Sequence, residues 1–254
     1  MENIVTSAIA EDYHRKIQES VTAHVAIAGG GPSGLVAAAE LASRGLSVNL
    51  YEKNLTPGGG MWGGAMLFNS ILIEEEFAET AEELGMKLRK YRDSVLLADS
   101  VQATAALISR ACSAGVRMFN GMAVEDVTVD RYDRVNGVVV NWAPVMKLGM
   151  MVDPLMTCAG AVLDATGHPA EIVTRFAAKN NTEITVPGEA SLNVEMGEKH
   201  TVEHTGMVHP GLFVSGMSAC ATAGGYRMGP VFGGMLKSGL KAAEEITEYL
   251  NKSQ

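Results

Sequence analysis

Apolar and polar positions change period several times along this chain. The first change comes early. His24-Val25-Ala26-Ile27-Ala28 is a short, nearly continuous apolar run, the pattern of a strand buried on both faces. Leu35 to Ser43 is rich in Ala and Leu and predicts a helix. Ser47-Val48-Asn49-Leu50-Tyr51 predicts a second strand, which ends at Glu52. A polar helix over 4–18 precedes this unit, with Asp12, His14 and Lys16 on its solvated face. A strand–helix–strand start therefore occupies roughly 22–52.

Glu74 to Leu88 has helical spacing, with Glu75, Glu79, Glu82 and Glu83 on an exposed face. Asp99 to Ala114 predicts another helix, opened by Asp99-Ser100 and ended before Gly115. Val116-Arg117-Met118-Phe119-Asn120 predicts a strand returning to the sheet. The β-branched runs Ala123–Val129, Val135–Trp142 and Val145–Val152, separated by turn residues, predict an antiparallel meander. Ala161 to Gly167 predicts a buried strand running into a glycine turn. Glu189 to Gly206 is polar and has no assignable period. Gly211 to Met217 predicts a strand and Val231 to Leu250 a long final helix, with a glycine-rich loop, Gly224 to Pro230, between them.

No repeat, low-complexity tract or Pro/Ser-rich linker divides the chain. It is expected to form one domain, 1–254, with the meander at roughly 122–152 inserted. The fold class is α/β: a Rossmann-like dinucleotide-binding domain of the FAD/NAD(P)-binding flavoprotein type. Its central sheet is mainly parallel and is joined by the antiparallel meander.

Composition narrows the function. At 254 residues and 47% hydrophobic, the chain can bury a substantial core. A net charge of −9 with no basic stripe argues against a nucleic-acid partner. No apolar run is long enough to span a membrane. Met1-Glu2-Asn3-Ile4 lacks the basic-then-apolar form of a signal peptide. Cys112, Cys158 and Cys220 are too scattered for a disulfide framework, so a reducing, cytoplasmic setting is expected. The 15 methionines are expected mostly to fill core space.

The candidate chemistry begins between the first strand and helix. Gly29, Gly31 and Gly34 fit G-x-G-x-x-G. Such glycines give a tight turn, close approach of backbone to a pyrophosphate, and close helix–strand packing. The helix start adds free N–H groups and a positive dipole end. Glu52, at the next strand end, stands where an acid holds ribose hydroxyls. In Gly58 to Gly64, five of seven residues are glycine, so this stretch is a flexible loop or lies against a ligand. Flanking Met61, Trp62, Met66, Leu67 and Phe68 favour an ordered loop in ligand contact.

Asp153 and His168 each follow an apolar run. A carboxylate with a neutral imidazole suits a divalent first-row metal such as iron(II), with positions left open for substrate. A turn-forming Asp before Pro154 and a hydrogen-bonding His fit the same spacing. Arg227 is the one arginine in the late glycine-rich loop. Its guanidinium suits a carboxylate ligand, or a surface ion pair.

Several segments together resemble the thiamine thiazole synthases of the eukaryotic and archaeal type. They are Gly29–Gly34, Glu52-Lys53, Gly58–Gly64, Val152-Asp153-Pro154, Asp164–His168 and Arg227–Met235. The resemblance covers nearly the whole chain. It implies that NAD is a substrate rather than a redox partner. Nicotinamide is lost, and the ADP-ribose is condensed with glycine and sulfur to an adenylated thiazole carboxylate. By resemblance, Gly29, Gly31, Ser33, Gly34, Glu52, Lys53, Gly60, Val124, Met151, Val152 and Met217 form the dinucleotide site. Asp153 and His168 resemble the iron(II) ligands of a site shared between subunits, and Arg227 the residue holding the glycine carboxylate. A homo-octamer is implied.

One position departs. Fungal and plant relatives carry a sulfur-donating cysteine, and archaeal relatives a histidine, where this chain has Met151. A thioether cannot form the thiolate that such donation needs. Met146 likewise replaces a histidine of the donating type, and Cys158 lies on the wrong side of Asp153. The expectation is a sulfide-dependent, multiple-turnover enzyme. Two other readings stay open: a small FAD-dependent oxidoreductase and a non-catalytic nucleotide-binding relative.

Overall fold

A computed structural model describes residues 1–252. Helix α1 (Glu2–Ser20) leads into β1 (Thr22–Ala28), α2 (Pro32–Ser43) and β2 (Val48–Glu52). After 3-10 turns over 59–63 and 65–67 come β3 (Ser70–Glu74), α3 (Ala78–Glu83), β4 (Leu88–Arg92), β5 (Val95–Asp99) and α4 (Ser100–Ser113). The middle holds β6 (Arg117–Asn120), β7 (Met122–Val129), β8 (Val135–Trp142), α5 (Ala143–Leu148), β9 (Leu155–Asp164) and α6 (Glu171–Lys179). The last part holds β10 (Ala190–Leu192), α7 (Val194–Glu203), β11 (Gly206–His209), β12 (Leu212–Val214), α8 (Met217–Ala223), β13 (Tyr226–Arg227) and α9 (Gly233–Lys252).

The fold is α/β. Strands β12, β9, β1, β2 and β6 lie side by side and parallel, and β11 adds an antiparallel edge. Strand β9 has a double role. Its first half pairs antiparallel with β8, which pairs in turn with β7. Its second half pairs with β12 on that side, and β1 flanks it on the other. The meander thus feeds directly into the central parallel sheet. Strands β1 and β2 and the second half of β9 are buried almost throughout because helices α2 and α9 cover one sheet face and α6 with the meander covers the other. On one face α2 and α9 pack with Ile27, Leu50 and Leu163. On the other, Phe119, Val138, Val162 and Phe176 close a second core.

Several elements differ from expectation. Only Ala78–Glu83 of the stretch 74–88 is α-helical, and Gly85, at φ +90, ends it early. Ser70–Glu74 pairs instead with β5, burying Ile71 and Ile73, and β4 completes a three-stranded antiparallel sheet. The run 145–152 is not a strand. Pro144 sits in the first turn of α5, and Gly149, left-handed at φ +63, closes it. The third strand of the meander is β9. The polar stretch 189–206 contains α7, whose Asn193 side chain caps Met196 N–H. Methionine use is divided: Met61, Met122 and Met217 are buried, whereas Met66, Met150, Met151 and Met156 are exposed. No described helix is long and apolar enough to cross a membrane.

Candidate functional site

The carboxyl ends of β1, β2 and β9 open onto a cavity of about 630 Å³, the usual ligand position in such sheets. Its floor is the glycine turn. Gly29 has φ +98, and a Cβ there would lie 2.4 Å from Ala165 O. A Cβ on Gly34 would lie 2.2 Å from Gly29 O. Only glycine lets α2 start this close to β1 and β9. No side chain caps α2, so its first N–H groups are left for a ligand. Glu52 is buried and faces the same turn. Its Oε2 accepts Gly30 N–H at 2.8 Å, and its Oε1 accepts from Asn54 N and Nδ2. In this chain it ties the strand end to the glycine turn and also lines the cavity. Lys53 pairs with Glu171, and both line the cavity.

The second wall follows β9. Asp164 is fully buried and has five donors around it. Thr166 N, Thr166 Oγ1 and Ser218 Oγ donate to Oδ1, and Ile172 N and Val173 N to Oδ2, all within 3.0 Å. Burial pushes this carboxyl above the usual carboxylate range, and the hydrogen bonds oppose that shift. Asp164 acts as a distant N-cap for α6, since Ala170 at the cap position offers no acceptor. The turn it holds, through Gly167 at φ +86, presents His168 to the cavity. His168 Nδ1 lies 2.6 Å from Glu189 Oε1.

The third wall is the late loop. Met217, Arg227, Met228, Val231 and Phe232 line it. Phe232 N–H donates to Leu72 O at 3.1 Å, which ties this loop to β3. The Arg227 guanidinium is exposed and has no ion-pair partner among the described residues.

The cavity therefore gathers Gly29, Gly31, Ser33, Glu52, Lys53, Gly60, Val124, His168, Met217 and Arg227. Gly34 packs beneath it. Met151, Val152 and Asp153 do not line it; they lie on the exposed loop between α5 and β9. His168 lines the cavity and Asp153 does not. Among the described residues, no group of three or more His, Cys, Asp or Glu is placed to hold a metal. The roles of Asp164, Glu189 and Glu198 were not read from the sequence. Only Asp164 left a local trace, standing two residues before Thr166 and three before Gly167.

Comparison with known proteins matches residues 6–232 to the Thi4 family. The chain belongs to the Thi4 family. Relatives of full length agree. A thiamine thiazole synthase of Pyrococcus abyssi is 44% identical over 247 residues, 97% of each chain. One from Methanothermobacter thermautotrophicus is 45% identical over 251 residues, again 97% of each. The crystal structure of Thermovibrio ammonificans THI4 superposes with a TM-score of 0.96 at 45% identity, covering 99% of this chain and 98% of that one.

This Thi4-family chain also holds a buried acid behind its late loop. Glu198 Oε1 accepts Gly234 N–H at 2.9 Å at the start of α9. Burial first, then the neighbouring Glu74 carboxyl, pushes Glu198 up to about 9, against the pull of the Gly234 N–H. The folded value lies above the ordinary 4.5. Its stabilising contribution is therefore complete below pH 4.5 and is lost as pH rises through about 9. Glu198→Gln keeps the acceptor and stays neutral. Thermal melts of this variant should fall less steeply over that window than those of the parent. Parallel curves would show that Glu198 is not the group responsible.

Proposed function

We propose that this chain is a thiamine thiazole synthase that converts NAD, glycine and sulfide to an adenylated thiazole carboxylate, releasing nicotinamide. The observation that carries the reading is convergence. The glycine turn, Glu52, His168 and Arg227, which has no ion-pair partner among the described residues, line one cavity of a size suited to a large ligand, in a chain of the Thi4 family. The α2 N-terminus and the glycine turn hold the pyrophosphate. Glu52 orients the adenosine ribose. Arg227 takes the glycine carboxylate bidentately.

The donor chemistry of His168 fits iron(II), with Nδ1 engaged by Glu189 and Nε2 left as the ligating nitrogen. Asp153, on its exposed loop, completes the site from a neighbouring subunit of a homo-oligomer, an octamer by resemblance. When bound, the metal supplies Lewis acidity and a template for glycine-derived substrate and sulfide. No cysteine lines the cavity: Cys112 and Cys158 are exposed elsewhere, and Cys220 is a buried residue of α8. Burial pushes the Cys220 thiol upward, away from the reactive thiolate. With Met151 also unable to donate, free sulfide is the sulfur source and turnover is multiple.

The test is anaerobic incubation with NAD, glycine, sulfide and iron(II), read by mass spectrometry. Adenylated thiazole in molar excess over enzyme, absent without sulfide, is the expected product. Untouched NAD together with a flavin in the purified protein would overturn the reading. Arg227→Ala should raise the KM for glycine about 10–100-fold, the loss of a charged hydrogen-bonded contact. NAD affinity should stay close to that of the parent. Equal losses for both ligands would remove Arg227 from this role.

A further inference from the structure

We propose that Glu189 is a positioning residue for His168, held on a short strap that also hydrogen-bonds the backbone of Arg227. The Glu189 side chain is 12% exposed, and its Oε1 lies 2.6 Å from His168 Nδ1. A carboxylate offers only lone pairs, so Nδ1 carries the ring proton. Nε2 keeps its lone pair, and it is the nitrogen available to a cavity ligand. A carboxylate in this position fixes both tautomer and ring orientation.

The backbone explains how Glu189 reaches there. Gly188, at φ +81, turns the chain, and its N–H donates to Ala221 O at 3.1 Å. Ala190 N–H donates to Gly225 O at 2.9 Å. Strand β10 then runs parallel to β13, with Leu192 opposite Arg227, and Asn193 N–H donates to Arg227 O at 3.0 Å. The strap 188–193 is pinned at one end to α8 and at the other to the segment carrying Arg227. It sends one acidic side chain across to His168. Two groups that act on the same substrate are thereby set from one frame, although 59 positions separate them in the chain.

The part concerning metal affinity rests on the reading of His168 as an iron ligand. Two measurements separate that reading from this one. The first is the nitrogen-15 spectrum of His168 in the metal-free protein, recorded in alkaline buffer where imidazoles are neutral. The parent and Glu189→Gln, which keeps an acceptor oxygen, should show the Nδ1–H form. Glu189→Ala should shift toward Nε2–H. Should alanine unfold the chain, Glu189→Leu takes its place. The second is anaerobic titration with iron(II) alone. Glu189→Ala should bind it about 10–100-fold more weakly, and Glu189→Gln much less so.

An unchanged tautomer in Glu189→Ala overturns the proposal. So does unchanged iron(II) affinity in that variant when His168→Ala has lost it. If His168→Ala binds iron(II) as the parent does, the iron reading fails, and the spectrum alone decides the role of Glu189.

Discussion

Alanine at Gly29 is expected to lower NAD affinity about 100-fold, equivalent to roughly 3 kcal/mol of binding energy. Two costs meet at this position. The backbone stands at φ +98, where a side chain is strained, and such strain costs about 1–3 kcal/mol. A Cβ would also lie 2.4 Å from Ala165 O, a backbone atom of the neighbouring strand end that cannot swing aside. Overpacking of this kind costs about 1–3 kcal/mol more. The turn must therefore move away from β9, and the N–H groups that would meet the pyrophosphate move with it. Gly34→Ala should act in the same direction through its 2.2 Å approach to Gly29 O, without the positive φ. Isothermal titration with NAD and denaturant unfolding measure the two losses separately. Parent-like affinity in Gly29→Ala would mean that the dinucleotide does not lie over this turn.

Asp164→Ala is expected to be the most destabilising single change near the site, at about 3–5 kcal/mol, because several buried donors lose one shared acceptor. Five donors lose their acceptor at once, including the N–H groups of Ile172 and Val173 at the start of α6. Each buried donor left unpaired costs about 1–3 kcal/mol, and the losses do not simply add because the turn relaxes. His168 sits on that turn, so activity should fall together with stability. Asp164→Asn should also destabilise, since an amide nitrogen then faces donors. Denaturation midpoints decide it: a change within about 0.5 kcal/mol, the range of ordinary surface substitutions, would show that the network is dispensable.

Legibility in the sequence followed the range of the interactions. The first strand, glycine turn, helix and Glu52 were readable because their signals are local. Apolar runs, φ-permissive glycines and a strand-end acid lie within 29 residues, from His24 to Glu52. The Asp99 cap was equally plain, and its side chain accepts Gln102 N–H at 2.8 Å. Val145–Val152 misled because its apolar content outweighed the punctuation around it. Pro144 and Gly149 are the start and stop of a helix, and they decide that segment. Strand β4 gave no alternation to find, since Leu88–Arg92 is an edge strand and mostly exposed.

The sequence by itself determined the class of fold, the place of the glycine turn and the residue types offered for chemistry. These depend on backbone preferences and on periods that act over a few residues. Only the tertiary structure decided which polar groups meet. Glu189 reaches His168 across 21 positions, and Ser218 reaches Asp164 across 54. It also decided that His168 lines the cavity while Asp153 lies on an exposed loop that does not. Such pairings follow from strand register and from which loops share a sheet end. No local propensity encodes them, because their free energy is gained only once distant segments are already packed together.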